Sequence, residues 1–211
     1  MSLFGNSSLP PQLPESGEAK RFINGEGEIT AKVLPGFFYV TSHSESIMTV
    51  LGSCIAACIR DPVARVGGMN HFMLPIGDDE RASSWGSGGS AANRFGNFAM
   101  ENLINSLVKH GGVKSRFEIK LFGGGRVLDI STDVGRKNAA FAFSYLEAER
   151  MSVVASDVGS DYARKIIYDP MSGRIKLKKL RDVYNGMVAN QEKELLRDLK
   201  KKPVSGSVEL F

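Results

Sequence analysis

Short stretches rich in apolar and β-branched residues recur along the chain, and turn-forming residues separate them. Such stretches are typical of β-strands in a sheet with at least one buried face. They cover residues 28–33, 36–41, 55–60, 66–74, 117–122, 153–155, 164–168 and 174–177. Proline and glycine stand between several of them, as in Leu34-Pro35-Gly36, where proline fixes φ and glycine permits a positive φ. The pattern predicts many short strands, several of them joined as hairpins.

Two longer segments carry apolar residues at helical spacing instead. One begins at Asn93 and ends at Gly111-Gly112, and the other spans 135–151. Their apolar positions are Phe95, Phe98, Ala99, Leu103, Leu107 and Val108 in the first, and Ala139, Ala142, Phe143, Leu146 and Met151 in the second. Side chains at this spacing share one face of a helix. The expected fold class is therefore mixed α/β, with mostly antiparallel β-sheets packed with two main helices.

The ends of the chain differ in composition from its middle. Residues 1–22 are rich in Ser, Pro and Gly and predict a flexible leader, because they hold too few apolar groups to order themselves. A single domain is expected over 23–183. Residues 184–211 are predicted to be a helical or flexible tail, an exposed appendage with little apolar stripe. Inside the domain, the polar stretch 76–92 with Trp85 predicts either a loop bordering the site or a mobile surface loop.

Composition narrows the class of protein. The chain has 211 residues, of which 42% are hydrophobic, and this suffices for one globular core. No apolar stretch approaches the roughly 18 residues of a membrane span, and the start lacks the features of a signal peptide, so a cytoplasmic protein without membrane insertion is expected. The net charge of +4 raises the possibility of nucleic-acid binding. The basic segments 174–181 and 197–202 contain no aromatic residues for base stacking, which favours a solvated basic face.

The segment around residues 54–71 holds the candidate chemistry. Asp61-Pro62 favours a turn between the two strands, since Asp bonds its own backbone two residues on. If that turn closes with Arg60 opposite Arg65, then Cys54 lies directly opposite His71. Opposed side chains have Cβ atoms about 4.5–5.5 Å apart, so an imidazole nitrogen could reach the thiol. The hairpin predicts a Cys–His pair.

Such a pair suits nucleophilic catalysis on a carbonyl. The thiolate attacks, while the imidazole stabilises the thiolate and later protonates the leaving group. Gly52 and Ser53, just before Cys54, allow close approach of a substrate, and their N–H groups could stabilise an oxyanion. The alternative is that Cys54 is a small buried hydrophobe, which is the commoner role of a cysteine in an apolar run.

Cofactor, metal and disulfide chemistry find no support in the spacing. Four strand residues place Cys54 and Cys58 about 13 Å apart, whereas a disulfide needs Cα atoms within about 7 Å. His43 and His110 have no ligand-like spacing, so no metal site is expected. The glycines at 123–125 lack the remaining residues of a phosphate loop and predict a tight turn near the catalytic face.

The run from Leu51 to Pro75 resembles the signature of the CheD family, the chemoreceptor glutamine deamidases. The family pattern has Leu-Gly-Ser-Cys, a strand, an Arg-Asp-Pro turn, and a strand with His before Met-Leu-Pro. Further matches follow in order at 93–95, 120–124, 134–138 and 172–175. The resemblance implies a nucleophile at Cys54, a general base and acid at His71, and an architecture similar to the catalytic domain of cytotoxic necrotising factors, a mixed α/β sandwich.

The resemblance also implies the substrate and the partners. These are glutamine side chains on the cytoplasmic domains of chemoreceptors, which become glutamate, with glutamyl methyl ester hydrolysis chemically permitted and a CheC-type phosphatase as a further partner. One departure concerns the residue that orients the histidine. Some family members have a threonine six residues before the cysteine, where this chain has Met48, so Thr49 is assigned that role. The rival hypotheses are a non-catalytic module that regulates a partner and a basic nucleic-acid binder.

Overall fold

A computed structural model describes residues 19–25, 27–75, 91–128, 133–180 and 182–201. In these ranges the strands are β1 (Ala19–Ile23), β2 (Ile29–Val33), β3 (Phe38–Thr41), β4 (Ser46–Leu51), β5 (Ile55–Asp61), β6 (Val66–Asn70), β7 (Glu118–Gly123), β8 (Val153–Val158), β9 (Arg164–Tyr168) and β10 (Ile175–Lys179). The α-helices are α1 (Ala91–Lys109), α2 (Val134–Ala148) and α3 (Asp182–Lys201). None of these helices is long and apolar enough to cross a membrane.

The strands form two five-stranded sheets. Sheet 1 has the order β1-β2-β4-β9-β10 and sheet 2 the order β3-β6-β5-β7-β8. Within them β2 pairs with β4 and β7 with β8 in parallel, and all the other pairs of described strands are antiparallel. A parallel pair needs a crossover connection, which α2 supplies between β7 and β8. The expected class, mixed α/β with mostly antiparallel sheets, is confirmed.

Strand β5 shows how the layers are arranged. Ala56 and Cys58 belong to the core between the two sheets, whereas Ile55, Ala57 and Ile59 belong to the core under α1 and α2. Successive side chains of a strand point to opposite faces, and β5 is apolar at every position from Ile55 to Ile59 because it has core on both sides. The layers are thus α1 with α2, then sheet 2, then sheet 1, and α3 contributes Ala189 and Leu196 to the core between the sheets.

Both main helices lie where the spacing predicts them. Leu103 and Leu107 of α1 are fully buried, and Gly111, with φ of 89°, follows the end of the helix. A glycine in this left-handed conformation is the usual residue just past a helix end. Asp133 caps α2 by accepting a hydrogen bond from the N–H of Arg136 at 3.0 Å.

The third helix corrects one expectation. Residues 187–200 are helical as predicted, but α3 is not an exposed appendage, because Val188, Ala189, Glu192 and Leu196 are buried. Val188, Glu192 and Leu196 follow i, i+4, i+8 spacing and Ala189 lies three residues before Glu192, which places all four on one stripe. Because this stripe includes an alanine and a glutamate, it is only weakly apolar, and the sequence pattern contains no clear sign that it is buried. Residues 202–211 lie outside the described part of the chain.

The predicted leader and loop are mostly outside that part as well. Of residues 1–22, the last four belong to β1, where Ala19 pairs with Val33 and Phe22 with Thr30. The predicted boundary at residue 22 therefore falls inside a strand. Of the predicted loop at 76–92, including Trp85, only the last two residues are described, and they begin α1.

The register of the β5–β6 hairpin differs from the prediction. Asp61 pairs with Val66 and Cys58 with Met69. Arg60 therefore lies opposite Gly67 instead of Arg65, a register shift of two residues. The Asp61 carboxylate accepts hydrogen bonds from the N–H groups of residues 63 and 64 at 2.9 and 3.1 Å. These bonds stabilise a four-residue loop, 62–65. Extending this register places Cys54 level with Met73, so direct opposition of Cys54 and His71 is wrong.

Candidate active site

The site is built on the backbone of residues 52–54, which connect β4 to β5. Each of their carbonyl groups accepts one hydrogen bond of 2.7 Å. The donors are the N–H of Gly125 to Gly52, the side-chain amide of Asn138 to Ser53, and the N–H of Gly124 to Cys54. Since each of the three carbonyls is held by a hydrogen bond, the orientation of the peptide planes is fixed.

The three N–H groups of the same residues converge on one carboxylate. Gly52 and Cys54 both donate to Oε1 of Glu192 at 3.0 Å, and Ser53 donates to Oε2 at 2.9 Å. The Ser53 hydroxyl adds a hydrogen bond of 2.7 Å to Oε2. Successive N–H groups that point into one concavity form an anion-binding site. We call the N–H groups of Gly52, Ser53 and Cys54 the amide nest.

The glycine turn at 123–125 packs against the backbone that forms the amide nest. Gly123 and Gly124 have φ of 113° and 62°, which is the left-handed region that disfavours other residues. A Cβ at Gly123 would overlap the carbonyl oxygen of Cys54. The predicted tight turn is present, and it needs glycine both for its conformation and for its close approach to the nest.

His71 follows β6 and faces the core between the sheets. Its Nδ1 lies 2.7 Å from the Thr49 hydroxyl, which in turn donates to the carbonyl of Val33 at 2.9 Å. A hydroxyl has one proton to donate, and the carbonyl can only accept. Thr49 therefore accepts from Nδ1–H of His71, and this tautomer leaves a lone pair on Nε2. Among the described residues, Nε2 is buried without a hydrogen-bond partner.

Cys54 and His71 lie on the same face of sheet 2. Cys54, Met69 and Met73 all belong to the core between the sheets, and side chains alternate along β6 and its extension, so His71 points to that core as well. In the observed register Cys54 and His71 are diagonal neighbours. Diagonal Cα atoms are about 7–8 Å apart, which long side chains bridge. The two residues therefore share one face at diagonal positions and are not directly opposed.

Thr49 reaches this pair from the opposite sheet. Ile47 and Leu51, two positions on either side of it in β4, are buried in the core between the sheets. By alternation Thr49 points there, and Met48 points to the other face. The hydroxyl beside His71 is thus supplied from position 49.

Burial keeps both reactive groups uncharged. Cys54 and His71 are 0% and 2% exposed. Burial lowers the pKa of His71 to about 3. Burial and the neighbouring Glu192 carboxylate raise the pKa of the Cys54 thiol well above its ordinary value. At neutral pH the site therefore holds a thiol and a neutral imidazole with a free lone pair.

The low pKa of His71 predicts how stability depends on pH. Between pH 6.5 and about 3 the unfolded chain binds a proton at His71 that the folded protein does not. This contribution to the free energy of unfolding is fully present above pH 6.5, and it is lost on acidification by up to about 1.4 kcal/mol per pH unit. Urea unfolding at a series of pH values measures it.

A His71→Gln variant is the matched control for this titration. Carboxylates also titrate below about pH 5, but they are common to both proteins, so the difference between the two curves isolates His71. The variant should lose less stability on acidification than the wild-type protein. Parallel curves would contradict the buried, neutral state of His71.

The sequence interpretation assigned no role to two residues that build this site. Asn138 of α2 is fully buried, donates to the Ser53 carbonyl and accepts from the N–H of Leu74 at 2.8 Å. It joins the nest to the segment after His71. Asn138 stood within a segment matched to the CheD pattern, and an asparagine in a helix interior was a usable signal. Glu192 gave none, because it is one of many charged residues in α3.

The other candidate residues lie elsewhere. Cys58 sits in the middle of β5 with its thiol free and buried, and burial raises its pKa. The Nδ1 of His110 bonds to the carbonyl of Ser106 at 2.7 Å, at the end of α1. His43 follows β3 and is exposed. Of the three histidines, His71 alone faces the core beside Cys54.

The chain is similar to known proteins over most of its length. A family model described as CheD chemotactic sensory transduction matches residues 73–179, starting two residues after His71. A protein of Hydrogenovibrio crunogenus is 50% identical over 186 residues, which are 88% of this chain and 96% of that protein. One of Halorhodospira halophila is 46% identical over 205 residues, 97% and 95% of the two chains. Both bear the name probable chemoreceptor glutamine deamidase CheD.

Proposed function

Because this chain belongs to the CheD family, we propose that it deamidates glutamine side chains of chemoreceptors to glutamate. The enzyme is an amidohydrolase that uses Cys54 as nucleophile. One observation carries the proposal beyond the names of the relatives. The amide nest binds a side-chain carboxylate beside a buried Cys–His pair, and a carboxylate is the product of glutamine deamidation.

Formation of the nucleophile and attack are the first steps. The Nε2 lone pair of His71 accepts the thiol proton of Cys54, and the thiolate attacks the carboxamide carbon of the substrate. The carbonyl oxygen then becomes an oxyanion in the place of Oε1 of Glu192, where the N–H groups of Gly52 and Cys54 donate at 3.0 Å. Donors at about 2.7–3.1 Å from a developing oxyanion are the arrangement that lowers such barriers.

Collapse of the tetrahedral intermediate releases ammonia. The imidazolium of His71 protonates the departing nitrogen, the C–N bond breaks and a thioester to Cys54 remains. Water, deprotonated by the neutral imidazole, attacks the thioester and restores the thiol. The sum is glutamine plus water giving glutamate plus ammonia. A glutamyl methyl ester reacts by the same route, with methanol as the leaving group.

Thr49 is proposed as a positioning residue that acts through His71. Its hydroxyl holds the tautomer with the free Nε2 lone pair, so Thr49→Val should lower kcat by about 10- to 100-fold with little change in KM. The measurement is steady-state deamidation of a receptor cytoplasmic domain, followed by mass spectrometry.

Thr49→Ser is the matched control, because serine retains the hydroxyl and loses only a methyl group. It should recover most of the activity. If valine and serine at this position give equal kcat values, Thr49 does not orient His71 and is only a packing residue.

Mass spectrometry of the receptor domain also tests the function itself. Conversion of one glutamine to glutamate adds about 1 Da to the peptide that holds it. Incubation with wild-type protein should give this change at particular glutamines. A receptor that keeps all its glutamines while its signalling still responds to the protein would indicate a non-catalytic binding module.

A further inference from the structure

Helix α3 lies across the amide nest and places a side chain in it. The Glu192 carboxylate accepts four hydrogen bonds there, three from N–H groups and one from the Ser53 hydroxyl. Glu192 is only 2% exposed, and no described residue forms an ion pair with it. A buried carboxylate is costly unless it is well hydrogen-bonded. The nest supplies those bonds, and it is the same group of donors that the reaction needs for its oxyanion.

The side chain in the nest has the chemistry of the reaction product. Deamidation converts a glutamine into a glutamate, and Glu192 is a glutamate whose Oε1 accepts from the N–H groups of Gly52 and Cys54. We propose that α3 is an internal inhibitor, in which Glu192 takes the position of the product side chain, and that the receptor must displace α3 before its own glutamine can enter. This inference rests on the proposed function.

The packing of α3 around the nest fits a removable occupant. Gly52 has no Cβ, and one placed there would lie 2.9 Å from Cγ1 of Val188 and 2.9 Å from Oε2 of Glu192. The helix thus sits directly on the nest backbone. Its buried stripe is narrow, whereas Met187 is 61% exposed and Lys193, Glu194 and Arg197 are exposed as well. Ala189 and Leu196 of α3 belong to the core between the sheets and not to the core beneath α1 and α2, so the helix can leave without opening the second of these cores.

The connection to α3 is short, and this determines whether the inhibition changes KM or kcat. The helix begins at Asp182, three residues after β10 ends at Lys179. A segment on a short tether has an effective concentration on the order of millimolar. The receptor must compete with this segment. Its apparent dissociation constant is then the intrinsic one divided by the fraction of molecules in which the site is free. The need to displace α3 therefore raises KM and leaves kcat nearly unchanged.

The negative charge of Glu192 also inhibits the site while α3 is in place. The Glu192 carboxylate contributes to the raised pKa of Cys54, so the thiol ionises less readily while α3 is in place. Entry of a neutral carboxamide removes this negative charge from the nest. Reactivity of the thiol is thereby linked to the departure of α3, and a free Cys54 thiolate is suppressed until substrate arrives.

The first test compares Glu192→Ala with Glu194→Ala in the full chain. Glu194 is an exposed glutamate on the same helix, so its replacement controls for the loss of one charge. We expect Glu192→Ala to lower KM for a receptor cytoplasmic domain by about 10-fold with kcat nearly unchanged, and iodoacetamide to label Cys54 faster than in wild-type protein. Glu194→Ala should do neither. An unchanged or higher KM for a folded Glu192→Ala protein would overturn the proposal.

The second test places a substrate in the product position. In Glu192→Gln the carboxamide of residue 192 lies beside Cys54, and the protein should convert it to glutamate, with a gain of about 1 Da in the peptide that contains it. Gln191 is exposed on the same helix and serves as the internal reference that stays unchanged. The conversion should disappear in the Cys54→Ala, Glu192→Gln double variant.

The two tests separate failure of this inference from failure of the proposed function. Self-conversion at position 192 needs no receptor. It therefore tests whether residue 192 occupies the position of the product side chain, even if wild-type protein leaves receptor glutamines unchanged. A Glu192→Gln protein that deamidates the receptor but retains the carboxamide at its own position 192 would overturn the inference and leave the function standing. If α3 were only a structural brace, Glu192→Ala would lower the melting temperature and kcat together.

Discussion

Replacing Cys54 by alanine is expected to abolish glutamine deamidation, with a loss in kcat on the order of 10⁴-fold or more. Alanine removes the sulfur that forms the thioester and leaves the backbone of the amide nest in place. His71→Ala should cost a similar factor, because the buried thiol then has no base to accept its proton. Since the two groups act as a unit, the double variant should be little worse than either single one. Mass spectrometry of receptor peptides measures all three.

Cys58→Ala is the matched control for the nucleophile. Cys58 is a buried thiol on the same strand face, and its replacement removes one sulfur from the same core layer. It should leave kcat within a few-fold of wild type. Activity that survives in Cys54→Ala and disappears in Cys58→Ala would reverse the assignment, and near wild-type kcat in His71→Ala would exclude histidine from the mechanism.

Gly123→Ala should have the largest effect on folding stability, a loss of more than about 3 kcal/mol. Its φ of 113° disfavours any side chain, and the new Cβ would overlap the carbonyl oxygen of Cys54. That carbonyl is fixed by its hydrogen bond from Gly124, so it cannot move aside without distorting the amide nest. Urea unfolding measures the loss, and deamidation by whatever remains folded should fall too.

Gly159→Ala separates conformational strain from overlap. Gly159 also has a positive φ, 79°, but a Cβ there meets nothing within 4 Å. It should cost only about 1 kcal/mol. Equal losses for the two glycine variants would mean that the contact between Gly123 and the nest contributes nothing.

The elements predictable from sequence are those with local signals. The helices around Leu103 and Leu146 and the glycine turn at 123–125 follow from spacing and residue type, and the structure contains all of them. The placement of Cys54 and His71 on one face was also predictable, although the hairpin that suggested it was wrong in detail. The predicted register was wrong by two residues, and since side chains alternate with period two, Cys54 and His71 stayed on the same face.

The remainder depends on contacts between distant parts of the chain. Glu192 reaches Cys54 across 138 residues of sequence, and no periodicity in α3 marks it as different from its charged neighbours. Asn138 reaches Ser53 across 85 residues. Thr49 could be named only as the nearest hydroxyl, because its contact with His71 spans two sheets. The CheC-type phosphatase partner and the limits of the domain stay predictions.

The amide nest also limits what genetics can reveal about this enzyme. Its three donors are main-chain N–H groups of residues 52–54, and every residue except proline carries one. Systematic side-chain replacement will thus register the loss of the thiol and the imidazole but leave the proposed oxyanion donors in place. Deleting a single donor calls for chemical synthesis, in which one amide is exchanged for an ester. Sequence tolerance at position 53 in a mutational screen would therefore say little about how much that position contributes to catalysis.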